Sequence, residues 1–428
     1  MHDASRRLLL RSGLGAALLP FAGCGTPPAA AAKARVVVIG GGFGGATAAK
    51  YVRLFSSGAI DVTLVEPHAQ LVSCPMSNLV LGGSIGLAQL SMPLAGLAGR
   101  HGVRLVQDRA KDIDTARRIV TLAGGATLPY DKLVVSPGVD LLEDRIEGLS
   151  AAHASGQVAL GWSAGEDTLL LRRQLEVMPD GGTFAIAIPE LPYRCPPAPY
   201  ERACQVASYF RRAKPRSKVL VLDANPDVTS KPTLFKRVWA GPYAGMVEYR
   251  PQHLAQAVEA GGRRIRFEVQ DDVDADVVNV LPPVRAGAIA TRAGLVNVAN
   301  DRWCAVDYRS FESTAAKDVH VLGDSILPAS GMPRSAHMAN NHGKVAAASI
   351  VARLAGWPEP RPPTLSNTCF SFIDERRAMH VATVHEWDAA EKTYKLVHGS
   401  GGQSTAPSEE EGALGWHWAR NIWADTAG

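Results

Sequence analysis

Val36-Val37-Val38-Ile39-Gly40-Gly41-Gly42-Phe43-Gly44-Gly45, running on through Ala46 to Leu54, is the stretch that decides the fold. A run of β-branched apolar residues suits a strand buried on both faces of a parallel sheet. Gly40, Gly42 and Gly45 then supply a GxGxxG turn. Such a turn lets the backbone approach a pyrophosphate and sets that charge against the free N–H groups of the following helix. Val62-Thr63-Leu64-Val65 reads as a second strand and ends in Glu66, 21 positions after Gly45, where a carboxylate can bond both ribose hydroxyls. GxGxxG alone is weak evidence. Strand, glycine turn, helix, strand and acid in register define a dinucleotide-binding unit.

Two later segments identify the dinucleotide as FAD. Tyr130-Asp131-Lys132-Leu133-Val134-Val135-Ser136-Pro137-Gly138 resembles the short strand that returns to the cofactor in flavoproteins with two dinucleotide-type domains. Val319-His320-Val321-Leu322-Gly323-Asp324 resembles their late strand, which places Asp324 at the ribityl and pyrophosphate region. A helix is predicted from about Ser335 to Leu354, with its positive amino end toward the flavin.

The middle of the chain repeats the pattern without the fingerprint. Gly182 to Ile188 and Val219 to Asp223 read as strands flanking a helix, but the turn after the first is Pro189-Glu190-Leu191-Pro192-Tyr193-Arg194-Cys195-Pro196-Pro197. Prolines have no N–H with which to cradle a phosphate, so NAD(P)H is an improbable substrate and electrons must enter by another route. Cys195 occupies the turn.

These readings give an α/β chain with two Rossmann-like dinucleotide-binding domains, glutathione reductase-like, plus a C-terminal interface domain. The expected boundaries are 34–160 with 290–357 for a discontinuous FAD domain, 161–289 for the degenerate second domain, and 358–428 for the last. Pro358 to Pro363 is a stiff linker at that last boundary. Gly399 to Gly412 reads as a mobile polar loop ahead of Trp416, Trp418 and Trp423.

Residues 1–33 read as signal and linker. Ser5-Arg6-Arg7-Leu8 with the apolar stretch to Phe21 has the form of a twin-arginine export signal, which implies a periplasmic protein. Phe21-Ala22-Gly23-Cys24 resembles a lipoprotein box. Either Cys24 carries a lipid anchor, or cleavage falls within Ala29 to Ala34 and Cys24 leaves with the signal. No later stretch reaches the ~20 consecutive apolar residues of a spanning helix. Of the net charge of +4, the first 24 residues, with three Arg and one Asp, hold +2, which leaves no nucleic-acid footprint on the rest.

The six cysteines differ in setting. Cys195 sits in a proline-rich elbow, where packing alone rarely places a thiol, ahead of a helix from about Tyr200 whose amino end lowers a nearby thiol's pKa. Cys369, in Asn367-Thr368-Cys369-Phe370, reads equally well as a packed thiol. Cys74, in Ser73-Cys74-Pro75-Met76-Ser77-Asn78, is in reach of a flavin bound by Glu66. Cys204, nine positions after Cys195, and Cys304, beside Trp303, read as core. No metal-ligand spacing occurs, and Cys-x-x-Cys-His is absent, so any haem arrives on a partner.

Gly40 to Tyr51, Cys195-Pro196-Pro197-Ala198-Pro199-Tyr200-Glu201-Arg202-Ala203, Pro282 to Gly287 and Asn367-Thr368-Cys369 resemble the flavoprotein subunit of flavocytochrome c sulfide dehydrogenase, itself similar to sulfide:quinone reductases. The resemblance implies that Cys195 and Cys369 form a redox-active disulfide beside the flavin, with Glu201 nearby as proton acceptor. It also implies that Cys74 is the point of covalent FAD attachment. Hydrosulfide would open the disulfide, leave sulfur or polysulfide as product, and send electrons to a c-type cytochrome subunit. Alternatives are a sulfide:quinone reductase and a flavoprotein that binds and tunes a sulfur-oxidation complex. The segment from about Thr229 to Met246 is shorter than its counterpart, and Cys204 is an extra candidate partner for Cys195.

Replacing Arg6 and Arg7 by Lys is expected to trap flavin-loaded precursor in the cytoplasm, as fractionation and blotting would show; undiminished export of that variant would refute the signal.

Overall fold

The computed structural model describes residues 33–428 apart from residue 260; the signal segment and Cys24 lie outside the described residues. The strand Arg35–Ile39 lies between Asp61–Val65 and Lys132–Val135, all parallel, and Arg104–Val106 extends the sheet beyond Asp61–Val65. Val319–Val321 joins on the far side of Lys132–Val135, with two short antiparallel strands beyond it. Strands before residue 136 and after residue 305 therefore share one seven-stranded sheet. Val36, Val37, Val38 and Ile39 are buried, as a strand covered on both faces requires.

The helix Phe43–Phe55 packs on this sheet and against the long helix Ala336–Ala355. Ser335 caps the long helix, its Oγ accepting from the Met338 N–H at 3.0 Å. The two helices touch backbone to backbone at Gly343: a Cβ there would lie 2.6 Å from Gly44 O and 3.0 Å from Ala48 N.

A second sheet of four parallel strands runs Val247–Arg250, Lys218–Asp223, Thr183–Ile188, Val277–Val280. The helix Ala198–Ala213 connects its two central strands.

The C-terminal portion is an antiparallel sheet whose long hairpin, Leu365–Phe372 with Ala378–Asp388, sets Cys369 opposite Val381. A helix, Glu409–Ala427, packs on that hairpin. Here the expected mobile loop is corrected. Gly402–Gln403 pairs with Val381 and Ala382, and Glu409, Glu410 and Glu411 form the helix's first turn. Ser408 Oγ accepts from the Glu411 N–H at 3.1 Å, and the carboxylates face the positive end of the helix dipole. Ser408-x-x-Glu411 is a capping signature the composition obscured. Trp416, Trp418 and Trp423 pack against a cluster containing Met76, Leu79, Leu90 and Phe372, and the Trp423 indole donates to Ser73 Oγ at 2.9 Å.

Gly343→Ala is expected to force the two helices apart and lower stability by about 1–3 kcal/mol, read as a lower urea midpoint; an unchanged midpoint would mean the helix pair yields without cost.

Candidate active site

The glycine turn opens on a cleft of about 1120 Å³ whose wall includes Gly40, Gly41, Gly42, Glu66, Cys74 and Pro137. Gly40 has φ +95°, and a Cβ there would lie 2.3 Å from Ser136 O. A Cβ on Gly42 would meet nothing within 4 Å, so the backbone at Gly42 stands bare. The helix Phe43–Phe55 has no side-chain cap, which leaves its first N–H groups for an anion. Glu66 Oε2 accepts from the Gly41 N–H at 2.8 Å and Oε1 from the His68 N–H at 3.0 Å, fixing the carboxylate at the glycine turn. Bare backbone, uncapped donors and a positioned acid fit a dinucleotide.

Of the other expected cofactor residues, Gly45, Gly138, Gly323 and Asp324 are not part of this wall. Gly45 lies under the turn, where a Cβ would sit 1.9 Å from Gly40 O. Gly138 and Gly323 adopt φ of +71° and +68° at the ends of their strands. Asp324 faces Arg194, whose Nε lies 3.5 Å from its carboxylate.

Cys74 belongs to two cavities. It lines the cleft and also a chamber of about 70 Å³ shared with Cys195, Cys369, Glu201, Arg194 and His337. Three segments far apart in sequence meet there. Cys74 comes from the loop before the short helix Asn78–Gly82, and Cys195 from the elbow between Ile188 and Ala198. Cys369 comes from the middle of the strand Leu365–Phe372. Cys195 is held at φ +47°, a left-handed conformation that costs a non-glycine residue roughly 1–2 kcal/mol, and its N–H donates to Arg334 O at 2.8 Å. All three are free thiols in this structure.

Glu201 binds the three segments to one another. Its Oε1 accepts from the Phe372 N–H at 2.7 Å and its Oε2 from Asn78 Nδ2 at 2.8 Å. Asn78 in turn accepts from Arg202 Nε at 3.2 Å. Burial raises the Glu201 pKa, against the pull of those two donors and the nearby Lys231 and Arg202.

The expected acidification of Cys195 by its helix is corrected. Burial pushes the thiol well up, with Cys369 and Glu201 adding to the effect and Arg194 opposing it. Burial also raises Cys369, against Lys231 and Asn367. Cys204 and Cys304 are fully buried among apolar residues and line neither cavity.

Sequence reasoning named no role for Arg194, Asn78, Asn367, His337 or Lys231. Asn78 and Asn367 lie inside the quoted motifs, and Arg194 precedes Cys195, so proximity was the available signal. Lys231 had none.

The second sheet carries its own strand-ending acid, Asp223, and that acid is already engaged. It accepts from the hydroxyls of Tyr200 at 2.7 Å and Tyr249 at 3.1 Å and from Asn225 Nδ2 at 2.8 Å. Its side chain is fully buried.

Residues 168–282 match the central region of the sulfide dehydrogenase [flavocytochrome c] flavoprotein chain, and 361–427 match the flavin-binding region of flavocytochrome c sulphide dehydrogenase. Residues 34–163 match pyridine nucleotide-disulphide oxidoreductase. The flavoprotein chain of sulfide dehydrogenase from Chlorobaculum thiosulfatiphilum is 61% identical over 46 residues, which is 94% of that sequence and 11% of this one. The chain belongs to the flavocytochrome c sulfide dehydrogenase flavoprotein family. Mouse mitochondrial sulfide:quinone oxidoreductase is 24% identical over 301 residues, 68% of this chain. The match spans 65% of the mouse protein's length. The sulfide:quinone oxidoreductase structure from Aquifex aeolicus superposes with a TM-score of 0.73 at 18% identity, covering 92% of this chain and 91% of that one. The chain has the mixed α/β pyridine nucleotide-disulphide oxidoreductase fold with two dinucleotide-type domains.

Proposed function

We propose that the protein oxidises hydrosulfide to sulfur or polysulfide through Cys195, Cys369 and FAD, and passes the electrons to a c-type cytochrome subunit. The observation that carries this reading is the position of Cys74 in the walls of both cavities: the dinucleotide cleft and the thiol chamber meet there. Bound FAD supplies a two-electron acceptor that releases electrons singly.

In the oxidised chamber Cys195 and Cys369 form a disulfide. Hydrosulfide attacks one sulfur, and the S–S bond breaks to leave a persulfide and a thiolate. Glu201, beside Cys195, takes a proton when the incoming species is H₂S. A second hydrosulfide removes the outer sulfur as a polysulfide, and the two cysteines give up two electrons as their bond re-forms. Cys74 is the attachment point of the cofactor, and Arg194 Nη2 lies 3.4 Å from its Sγ. Export by the twin-arginine route belongs to the same reading, since that route accepts cargo already folded around a cofactor.

Delivery to a membrane quinone finds less support. The tryptophans of the last helix are partly buried, packed against a cluster of core residues.

Anaerobic addition of sulfide to the purified protein is expected to bleach the flavin, and cytochrome c to restore its colour faster than a soluble quinone does. Cys195→Ser and Cys369→Ser should keep the flavin spectrum and lose bleaching, while Cys204→Ser should behave as wild type. Full bleaching in both serine variants would remove the disulfide from the reaction. In acid precipitation, wild-type flavin should pellet with the polypeptide and Cys74→Ala flavin should stay in the supernatant; release of wild-type flavin would take Cys74 out of the linkage.

A further inference from the structure

Lys231 is 3% exposed, at φ +54° immediately before the helix Pro232–Ala240. Its Nζ donates to Cys369 O at 3.4 Å and lies 5.8 Å from the Phe235 ring centroid. Among the described residues no ion pair to a carboxylate is made by this ammonium. A buried cation with no direct ion pair is costly, both its contacts are weak, and the acids acting on it are Cys369 first, then Glu201, Cys195 and Glu411. It stands where a negative charge on Cys369 would be met.

Cys369 has a second donor aimed at its sulfur. Asn367 Nδ2 lies 3.4 Å from Cys369 Sγ. The Ser335 hydroxyl donates to Asn367 Oδ1 at 2.6 Å, which fixes the amide so that its nitrogen faces the cysteine. The thiol can itself point toward Oδ1, 3.7 Å away; once deprotonated, it retains only the Nδ2 contact. Cys195 differs in that no hydrogen bond reaches its Sγ among the described residues; Glu201 acts on both thiols, and the cation opposing it at Cys195 is Arg194.

We propose that Lys231 is the counter-ion of the Cys369 sulfur, a positioning residue that, with the Asn367 amide, makes Cys369 the sulfur released when hydrosulfide attacks Cys195. The inference rests on the sulfide-oxidising reading. HS⁻ bonds to Cys195 Sγ, the Cys195–Cys369 bond breaks, and its electron pair stays on Cys369 Sγ. Cys195 is left as S–SH and Cys369 as a thiolate, so one negative charge enters and one remains. The direction of the Lys231 effect agrees, since its charge opposes the rise that burial imposes on Cys369. The other charges around Lys231 and Cys369 are Glu201 and Cys195 from the elbow and its helix, and Glu411 from the last helix. His337 and Arg194 stand in the chamber wall.

The test uses flavin-loaded full-length protein, with Lys231→Met and Lys231→Arg, reduced by dithiothreitol and alkylated with iodoacetamide across pH, each cysteine read by peptide mass spectrometry. Lys231→Met should move the Cys369 midpoint up by about one pH unit, slowing alkylation about tenfold at a fixed lower pH. The Cys195 midpoint should move less, and Lys231→Arg should restore wild-type behaviour. Sulfide-dependent bleaching should slow by a similar factor in the Met variant and recover in the Arg variant. Should Lys231→Met fail to accumulate, Lys231→Gln serves the same readout. An unchanged Cys369 midpoint in a folded, flavin-loaded variant, or a larger shift at Cys195, overturns the proposal. Alkylation needs no sulfide, so failure of the wild type to bleach would refute the sulfide reading while leaving the Lys231–Cys369 pairing to be decided by the alkylation profile.

Discussion

Glu201 accepts one hydrogen bond from the backbone of the strand that carries Cys369 and one from the side chain at the start of the Cys74 helix, while itself standing on the helix that follows Cys195. Burying a carboxylate is expensive unless its oxygens are met, and here each oxygen meets one donor. Arg202, one residue on, reaches Asn78, Asn279 and the carbonyls of Leu160 and Gly161, and so ties the same node to the second sheet. Losing any partner would leave a buried polar group unpaired. The relative positions of the three cysteines therefore depend on a network that contains no cysteine.

The parts of this design that sequence exposes are those that constrain the backbone locally. Gly40, Gly42 and Gly45 are required by a turn with no room or a bare face, and the β-branched run before them can be little else than a buried strand. Cys195 stood out because prolines surround it. Residues that act across long separations left no such mark. Lys231 lies 138 positions from Cys369, and nothing local distinguishes it from a surface lysine preceding a helix. The first turn of the last helix was misread for a different reason: three glutamates and the glycines before them suggest a loop by composition, whereas the Ser408 cap and the helix dipole suit the same acids to that turn.

The second dinucleotide-type domain shows how a fold can be turned to another use without being rebuilt. In a nucleotide-binding unit the turn after the first strand presents N–H groups to phosphate, and the acid of the second strand meets a ribose. Here the turn is filled by prolines and by Cys195 in a left-handed conformation, and the acid is met by two tyrosine hydroxyls and an asparagine. The sheet still delivers the end of its first strand to the face of the neighbouring domain. What it delivers is a sulfur atom instead of a nicotinamide.

The chamber also decides where charge can reside. Burial raises the pKa of Cys195 and Cys369 and drives both thiols toward their neutral form; it also raises that of Glu201, which strengthens the carboxylate as a proton acceptor, while the acids around Lys231 oppose the loss of its proton. Thiols in that state are poor nucleophiles, because exchange proceeds through the thiolate. Nucleophilic charge is then better brought in by the substrate, and a site receiving an anion needs cations already placed for it. Arg194 at Cys74 and Lys231 at Cys369 are such cations, one near the expected cofactor linkage and one near the sulfur that carries charge after attack in the proposed mechanism. In that mechanism the three sulfur atoms that line the chamber are told apart by the charges placed beside them.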